Sequence, residues 1–233
     1  MLTFTRKVIS AYRRGDFENL FIVGPQGIGK TTYALLVLYE VYRDWDTALE
    51  WLVFDPREIL PRLKQALREG KRIKLVVFDD AGIHLSKYMW SLDRESQQVA
   101  MLMNSLFNIV RSVCAGVIFT SPDMDVLKEL RKKSWWVGEP KAPHGKDKPT
   151  RIMILYRKRI TVTGAVVVSR KAEDVYDLTL IDLDVRRKYE EKRKAATEAL
   201  LNYLERIGKQ LDALGTPTPR GYLEHLAHVP NRP

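Results

Sequence analysis

Nine consecutive residues near the N-terminus combine glycines, a lysine and two threonines in an order suited to holding phosphate. They read GPQGIGKTT and fit the pattern G-x-x-x-x-G-K-[ST] at every fixed position. In that pattern the glycines let main-chain N–H groups turn toward phosphate oxygens, the lysine supplies a positive charge, and the threonine hydroxyl binds Mg²⁺. We therefore predict an ATP and Mg²⁺ site formed by Gly24, Pro25, Gln26, Gly27, Ile28, Gly29, Lys30, Thr31 and Thr32.

Lys30 is expected to contact the β- and γ-phosphates, and Thr31 to ligate the metal. The flanking sequence favours this interpretation, because the apolar run 20–23 predicts a buried strand and 33–42 predicts the following helix. The helix N-terminus would add its dipole to the phosphate site. The alternative is a glycine-rich turn in which the lysine stands by chance.

Two adjacent carboxylates, Asp79 and Asp80, follow the apolar run IKLVVF. A strand buried on both faces would bring them to the carboxyl edge of the sheet, beside the phosphate-binding loop. We expect Asp79 to hold Mg²⁺ together with Thr31, and Asp80 to orient or deprotonate an attacking water. The alternative role for Asp80 is that of a helix or turn cap.

The elements that must position these residues alternate between strand and helix along the chain. Hydrophobic periodicity predicts a three-layer α/β/α fold with a mostly parallel sheet, followed by a basic β-hairpin and a long helix. The predicted strands are 20–23, 48–54, 73–78, 116–121, 152–156 and 165–169. The predicted helices are 3–14, 33–42, 55–69 with Asp55 as its cap and Gly70 at its end, 95–113, 124–133 and 185–214.

We predict a nucleotide-binding domain over 1–183, with its core at 17–135 and a basic, strand-rich segment at 136–183. A charged helix at 184–214 and a proline-containing linker and tail at 215–233 complete the chain.

The charge of the chain is strongly positive and unevenly distributed. The formal net charge is +10, and residues 131–159 hold ten Lys or Arg against two acids. Basic residues interleaved with Trp135, Trp136 and Tyr156 are suited to phosphate-backbone contacts and base stacking, so we expect DNA as a partner. The alternative is a solvated hairpin whose tryptophans pack inward.

A single cysteine, Cys114, excludes a disulfide within the chain and a cysteine-based metal site. Its apolar surroundings predict a buried core residue. Because no signal peptide pattern and no apolar run of membrane-spanning length occur, we expect a cytoplasmic protein without a membrane partner.

The order of these motifs resembles the ASCE division of P-loop ATPases, which includes the AAA+ and RecA-like proteins. Within that division, FDPREIL at 54–60, VFDDAG at 77–82 and FTS at 119–121 look like the DnaC/IstB helicase-loader branch. The chain is also similar in size and style to ATPases of archaeal viruses and plasmids, including DnaA-like ones. The resemblance covers about residues 20–135; Pro122 stands where loaders usually have Asn, and no helical lid with a second sensor arginine is visible.

The resemblance implies that Thr120 or Ser121 senses the γ-phosphate, although a strand-to-helix turn would also place a serine there. It further implies a homo-oligomer in which a neighbouring subunit supplies an arginine, for which Arg131 is the nearest candidate. The expected function is ATP hydrolysis coupled to DNA, in replication initiation or helicase loading, with a helicase or other replication or packaging protein as partner. A DNA-packaging or translocating motor and an ATP-gated scaffold without hydrolysis are the alternatives, and a small-molecule kinase is less favoured.

Overall fold

The structure is a computed structural model, and it describes residues 1–80, 108–122 and 135–213. The chain divides into two compact units, Met1–Arg187 and Lys188–Pro233. The first unit contains the sheet and all the predicted site residues that the structure describes.

A mixed sheet of seven strands organises the first unit, with the order β2-β3-β4-β1-β5-β6-β7. The strands are β1 (Glu18–Val23), β2 (Leu52–Val53), β3 (Ile73–Phe78), β4 (Cys114–Ser121), β5 (Trp136–Lys141), β6 (Thr150–Ile160) and β7 (Val166–Asp177). Strands β1 to β5 are parallel to one another, β6 is antiparallel to β5, and β7 is antiparallel to β6. The predicted α/β class with a mostly parallel sheet is therefore confirmed.

Helices of the first unit cover both faces of the parallel strands. They are α1 (Thr3–Arg14), α2 (Lys30–Tyr42), α3 (Trp45–Glu50) and α4 (Leu60–Arg68), and residues 108–113 are also helical. A further helix, α5 (Leu183–Ala213), belongs mostly to the second unit. On one face α1 and α2 contact β3 and β4, and Gly116 allows a close approach, since a Cβ there would lie 2.8 Å from Val8 Cγ2. On the other face Leu63 and Val110 join a core cluster with Phe78.

The interior of the sheet is apolar along every parallel strand. Phe119 of β4 stacks on Phe78 of β3 at 5.1 Å between ring centroids, and Phe21 of β1 lies 6.5 Å from Phe119 on the other side. Burial of such rings is the main stabilising contribution to a sheet of this kind. It fixes the strand ends, where the polar site residues lie.

The predicted strand 48–54 is wrong over most of its length. Residues Trp45–Glu50 form α3, because the carboxylate of Asp44 accepts a hydrogen bond from the N–H of Thr47 at 2.7 Å and caps the helix. Only Leu52–Val53 remain as β2, paired with the end of β3. The predicted helix 55–69 is a 3₁₀ turn, Pro56–Ile59, followed by α4, and Gly70 ends it at φ 62° as expected.

The predicted basic hairpin exists, but it is longer than expected and belongs to the central sheet. Strands β6 and β7 replace the short segments 152–156 and 165–169, and the turn lies near Gly164 as predicted. No strand was predicted at Trp136–Lys141, where the structure has β5. The long helix was predicted at nearly its observed bounds. Of the described residues, none form a helix long and apolar enough to cross a membrane.

Candidate nucleotide site

The GPQGIGKTT segment forms the connection between β1 and α2. Strand β1 ends at Val23 and α2 begins at Lys30, with Gly29 capping the helix at φ 104°. Gly27 is also left-handed, at φ 77°. Side chains other than glycine adopt such angles at a cost, so the loop conformation depends on these two glycines. The result is a loop that leads directly into a helix N-terminus, as an anion-binding site requires.

The side chain of Lys30 lies against the loop that precedes it. Its Nζ donates hydrogen bonds to the carbonyl oxygens of Gly24 at 2.7 Å and Pro25 at 3.0 Å, and the residue is 6% exposed. The ammonium group is thus held inside the concave side of the loop. This is where the pattern predicts a positive charge for the terminal phosphates.

Three side chains from three elements meet at the carboxyl end of β3. The Thr31 hydroxyl, on the first turn of α2, donates to Asp79 Oδ1 at 3.0 Å and lies 3.2 Å from Oδ2. The Thr120 hydroxyl, at the end of β4, donates to Asp79 Oδ1 at 2.5 Å. Asp79 is fully buried. The structure therefore brings together Thr31, Asp79 and Thr120.

Asp80 lies in a turn directly after Asp79 and has an unusual backbone. Its φ is 49°, a left-handed conformation that Asp tolerates better than most residues. Its N–H donates to the Thr120 hydroxyl at 2.9 Å. One hydroxyl thus contacts both acidic residues, and it fixes the direction in which the chain leaves the site.

The two sensor candidates have different surroundings. Thr120 contacts the acids, whereas the Ser121 hydroxyl is buried without a hydrogen-bond partner in the part of the chain that the structure describes. The carbonyl of Ser121 accepts the N–H of Gly24 at 3.4 Å, so it connects β4 to the phosphate-binding loop. Because β4 lies between β1 and β3, it places Thr120 between loop and carboxylates.

The oxygen ligands at this edge fit Mg²⁺ better than a softer metal. The hydroxyl of Thr31 and the carboxylate of Asp79 are hard donors, and Mg²⁺ is usually bound through one or two carboxylates plus phosphate oxygens. Within the described ranges, no group of three or more His, Cys, Asp or Glu side chains could hold a metal by itself. A metal at this site would therefore complete its coordination with phosphate and water.

The sequence reasoning missed a set of contacts made by the hairpin. Arg151 of β6 donates from Nε to the Ile28 carbonyl at 3.1 Å, and the Tyr176 hydroxyl of β7 donates to the Gly29 carbonyl at 3.0 Å. No local pattern signals these contacts, because the residues that they join are 123 and 147 positions apart in the sequence. The hairpin therefore forms one wall of the phosphate-binding loop.

A cleft of about 390 Å³ opens beside the loop on the side of β5. Its lining includes Gly24, Ile28, Pro140 and Tyr156. Tyr156, predicted as a DNA contact, lines this cleft. Its hydroxyl donates a hydrogen bond to Glu139 Oε2 at 3.4 Å. The cleft is large enough for a nucleoside-sized group next to the loop.

The predicted tryptophan pair has divided roles. Trp136 is 6% exposed, its indole N–H donates to Glu18 at 2.9 Å, and the Arg157 guanidinium lies 4.9 Å from its ring centroid. The expectation of base stacking is therefore wrong for Trp136, since packing in the sheet occupies its ring. Trp135 is 42% exposed. The candidate arginine Arg131, the segment 81–107 and the predicted helix 124–133 lie outside the described residues.

These features define a P-loop NTPase-like fold. A glycine-rich loop joins the central parallel strand β1 to a helix, the neighbouring strand β4 ends in polar residues, and the next strand, β3, ends at the two acids. No protein-family model matches the chain. The chain belongs to the same family as uncharacterized protein B-251 of Sulfolobus spindle-shape virus 1. The identity is 33% over an alignment of 215 positions, which covers 86% of this chain and 83% of the relative.

A second viral relative is uncharacterized protein ORF286 of Acidianus two-tailed virus, 31% identical over 127 residues. That match covers 54% of this chain and 44% of the relative. Both relatives are uncharacterized proteins of archaeal viruses, so the expected likeness is confirmed only in its viral and archaeal part.

Two solved structures are similar at 12% identity. One is a KaiC-like protein of Pyrococcus horikoshii OT3, with a TM-score of 0.38 and coverage of 66% of this chain and 90% of that chain. The other is the N-terminal domain of zonular occludens toxin from Neisseria meningitidis, with a TM-score of 0.35 and coverage of 68% of this chain and 95% of that chain.

Proposed function

We propose that this protein is an ATPase that acts on DNA. The observation that carries the ATPase part is the junction of Thr31, Asp79 and Thr120, because it unites the phosphate-binding loop, the acidic strand and the polar strand within hydrogen-bond distance. Each residue type is one that phosphoryl transfer with Mg²⁺ requires at that place. ATP with Mg²⁺ is the proposed cofactor pair.

In this proposal the main-chain N–H groups of the loop and the Lys30 ammonium bind the triphosphate. Thr31 and Asp79 would hold the metal, which would neutralise phosphate charge when bound. Asp80 accepts a hydrogen bond from the attacking water and orients it, and Thr120 keeps both acids in place. Thr120 is then the residue that responds to the γ-phosphate, and Ser121 is not.

ATP turnover and nucleotide binding, measured on the same variants, test this assignment. Lys30→Ala should abolish tight ATP binding, whereas Asp80→Asn should keep ATP binding within about threefold and lower turnover about 100-fold. A matched control is Asp46→Asn, an acid on the distant helix α3, which should leave both quantities unchanged. Unaltered turnover in Asp80→Asn would remove Asp80 from catalysis, and ATP binding without turnover in the wild-type protein would instead support an ATP-gated scaffold.

The DNA part of the proposal rests on the distal half of the β6–β7 hairpin, residues 156–172, which we call the basic arm. The basic arm contains five Lys or Arg and no acid. Arg159 and Lys171 are exposed on it, as are Ile160, Val162 and Val167. A two-stranded ribbon with this charge is complementary to the phosphate backbone of DNA.

A salt titration of DNA binding tests the basic arm. Replacing Arg159 and Lys171 by Gln should weaken binding at every sequence and reduce the slope of log K against log salt by about 1 for each residue removed. The control is the double replacement of Lys64 and Arg68, two exposed cations on α4, which should leave the slope unchanged. Equal slopes in all three proteins would remove the basic arm from the DNA interface.

Within DNA metabolism, we propose replication initiation or helicase loading for a virus or plasmid, with a helicase or related replication protein as partner. A translocating or packaging motor is the second candidate. It is favoured by β5, β6 and β7, which continue the sheet where the loader resemblance implies a helical lid. ATP consumption that rises with DNA length would support the motor, and consumption independent of length but dependent on a helicase would support the loader.

A further inference from the structure

Arg151 is a buried arginine whose hydrogen bonds all go to the main chain. It is 1% exposed, and it is the largest of the fully buried side chains among the described residues. Its guanidinium donates to the carbonyl of Ile28 at 3.1 Å, of Thr150 at 2.9 Å and of Lys146 at 2.9 Å, and also to that of Lys148. One side chain therefore ties the phosphate-binding loop to the lysine-containing connection between β5 and β6.

Tyr176 fixes the next peptide of the same loop. Its hydroxyl donates to the Gly29 carbonyl at 3.0 Å, and that carbonyl also accepts the N–H of Tyr33, the first hydrogen bond of α2. A Cβ on Gly29 would lie 2.8 Å from Leu178 Cδ2 and 3.1 Å from the Tyr176 hydroxyl. The loop is thus packed tightly against the base of the hairpin at Gly29.

The planarity of the peptide bond gives these two hydrogen bonds a consequence on the phosphate side. In a trans peptide, the carbonyl of one residue and the N–H of the next point in opposite directions. Holding the Ile28 carbonyl toward Arg151 therefore turns the Gly29 N–H away from the hairpin. Holding the Gly29 carbonyl toward Tyr176 does the same for the Lys30 N–H. Both N–H groups are donors that the loop pattern assigns to phosphate.

The charge of Arg151, like its hydrogen bonds, favours phosphate binding at the loop. Among the residues that the structure describes, no carboxylate lies within ion-pair distance of its guanidinium, and carbonyl oxygens alone receive its protons. Asp177 interacts electrostatically with Arg151, but from beyond ion-pair distance. Burial of a charge without a close ion pair is unfavourable, and a nearby anion reduces that cost. Polyphosphate bound on the loop would be such an anion.

We propose that Arg151 is a positioning residue for the phosphate-binding loop, with Tyr176 as its partner. The hairpin base then belongs to the nucleotide site, and its contribution grows with the charge of the ligand. This inference rests on the proposed ATP-binding function. It assigns a role to two residues that lie outside every nucleotide-binding motif of the sequence.

Binding of fluorescent ATP, ADP and AMP analogues, together with thermal unfolding, tests the proposal. Arg151→Met should weaken ATP binding about tenfold or more, and AMP binding less, because both hydrogen bonds and charge are removed. Arg151→Lys should weaken all three ligands but keep the wild-type ratio of ATP to AMP affinity, since it restores the charge alone. Arg68→Met, at an exposed arginine of α4, is the control and should change neither the nucleotide affinities nor the unfolding temperature.

Tyr176→Phe provides a second test of the proposal if the Arg151 variants are too unstable to measure. It removes a single oxygen and retains the ring, which packs edge-on against Tyr33 at 5.3 Å. ATP binding should weaken about two- to tenfold. Unchanged ATP affinity in Tyr176→Phe, or equal losses for ATP and AMP in Arg151→Met, would overturn the inference. Absence of nucleotide binding by the wild-type protein would instead overturn the proposed function itself.

Discussion

At the residue scale, two neighbouring hydroxyls at the end of β4 differ in their contacts, and we expect them to differ in their effect on turnover. The Thr120 hydroxyl contacts Asp79 and the N–H of Asp80, whereas the Ser121 hydroxyl is buried without a described hydrogen-bond partner. We expect Thr120→Val, which keeps the shape of the side chain, to lower kcat for ATP about 10- to 100-fold through misplacement of the acids. Steady-state kinetics at saturating ATP measures this change.

Two further substitutions control this prediction. Thr120→Ser retains the hydroxyl and should keep kcat within about threefold of wild type. Ser121→Ala removes a polar atom that makes no described bond, so neither kcat nor the unfolding free energy should fall. A larger loss of kcat in Ser121→Ala than in Thr120→Val would assign the γ-phosphate response to Ser121.

Cys114 gives a prediction about pH. Burial raises the pKa of this thiol from 9.0 to about 12, while the nearby Arg72 lowers it slightly. Above pH 9 the unfolded chain loses the proton and the folded chain keeps it, so stability falls as pH rises. This group alone should lower the free energy of unfolding by about 1 kcal/mol at pH 10.

Urea unfolding of wild type and Cys114→Ala at pH 8 and pH 10 isolates that contribution. The alanine variant lacks the thiol, so its stability should fall less between the two values. Buried tyrosines contribute equally to both proteins and cancel in the difference. The same fall in both proteins would show that Cys114 ionises in the folded state as readily as in the unfolded chain.

The residues that could be predicted from the sequence are those whose roles depend on local order. The loop glycines, Lys30, Thr31 and the Asp79 carboxylate follow from short patterns, because each pattern fixes a strand end or a helix start. Arg151 and Tyr176 could not be found in this way, since their role arises only when β6 and β7 pair beside β5. A basic residue in a basic segment gives no local sign of burial.

At the element scale, Asp174 of β7 connects the hairpin to two helices. Its buried carboxylate accepts hydrogen bonds from the Thr3 N–H at 2.9 Å, the Thr3 hydroxyl at 2.7 Å and the Tyr33 hydroxyl at 2.7 Å. Burial first, and then the Asp174 carboxylate, hold the pKa of Tyr33 well above its usual range, so the phenol remains a donor at neutral pH. Strand β7 is thereby joined to the starts of α1 and α2.

We expect Asp174→Ala to lower the free energy of unfolding by about 3 kcal/mol, because it leaves three donors without their acceptor. Tyr33→Phe removes one of the three bonds and should cost about 1 kcal/mol. Urea titrations followed by circular dichroism give both values. If the two variants were equally stable, the carboxylate would not be the shared acceptor on which the prediction depends.

The elements differ in how well the sequence predicts them, for physical reasons. Strands β1, β3 and β4 are buried on both faces and appear as apolar runs bounded by polar residues. Strand β5 contains Gly138 and Pro140, which are rare in strands, so the sequence pattern predicts no strand there. Pro140 is accommodated because β1 pairs with β5 only as far as Gly138. Helix α3 was missed because its Asp44 cap outweighs the β-propensity of its surroundings.

At the scale of the whole molecule, the proposed chemistry requires an arginine near the γ-phosphate. In the described part of the chain, Arg151 bonds to the phosphate-binding loop, but it faces carbonyl oxygens on the outer side. Arg131 lies outside the described residues. A neighbouring copy that supplies this arginine would make ATP turnover a property of an oligomer, and we propose a homo-oligomer on that ground.

Mixing two inactive variants tests whether one active site is shared between copies. Lys30→Ala cannot bind the triphosphate, and Arg131→Ala cannot supply the charge, so each should be inactive alone. In a mixture, an Arg131→Ala subunit with an intact loop can receive the arginine of a Lys30→Ala neighbour, so turnover should return to about a quarter of wild type for a ring with random order. Turnover per wild-type subunit should also rise with protein concentration as the oligomer forms. If Arg131→Ala alone kept wild-type turnover at every concentration, and the mixture showed only the turnover of its Arg131→Ala subunits, the arginine would have to come from elsewhere in the same chain, and the site would work as a monomer.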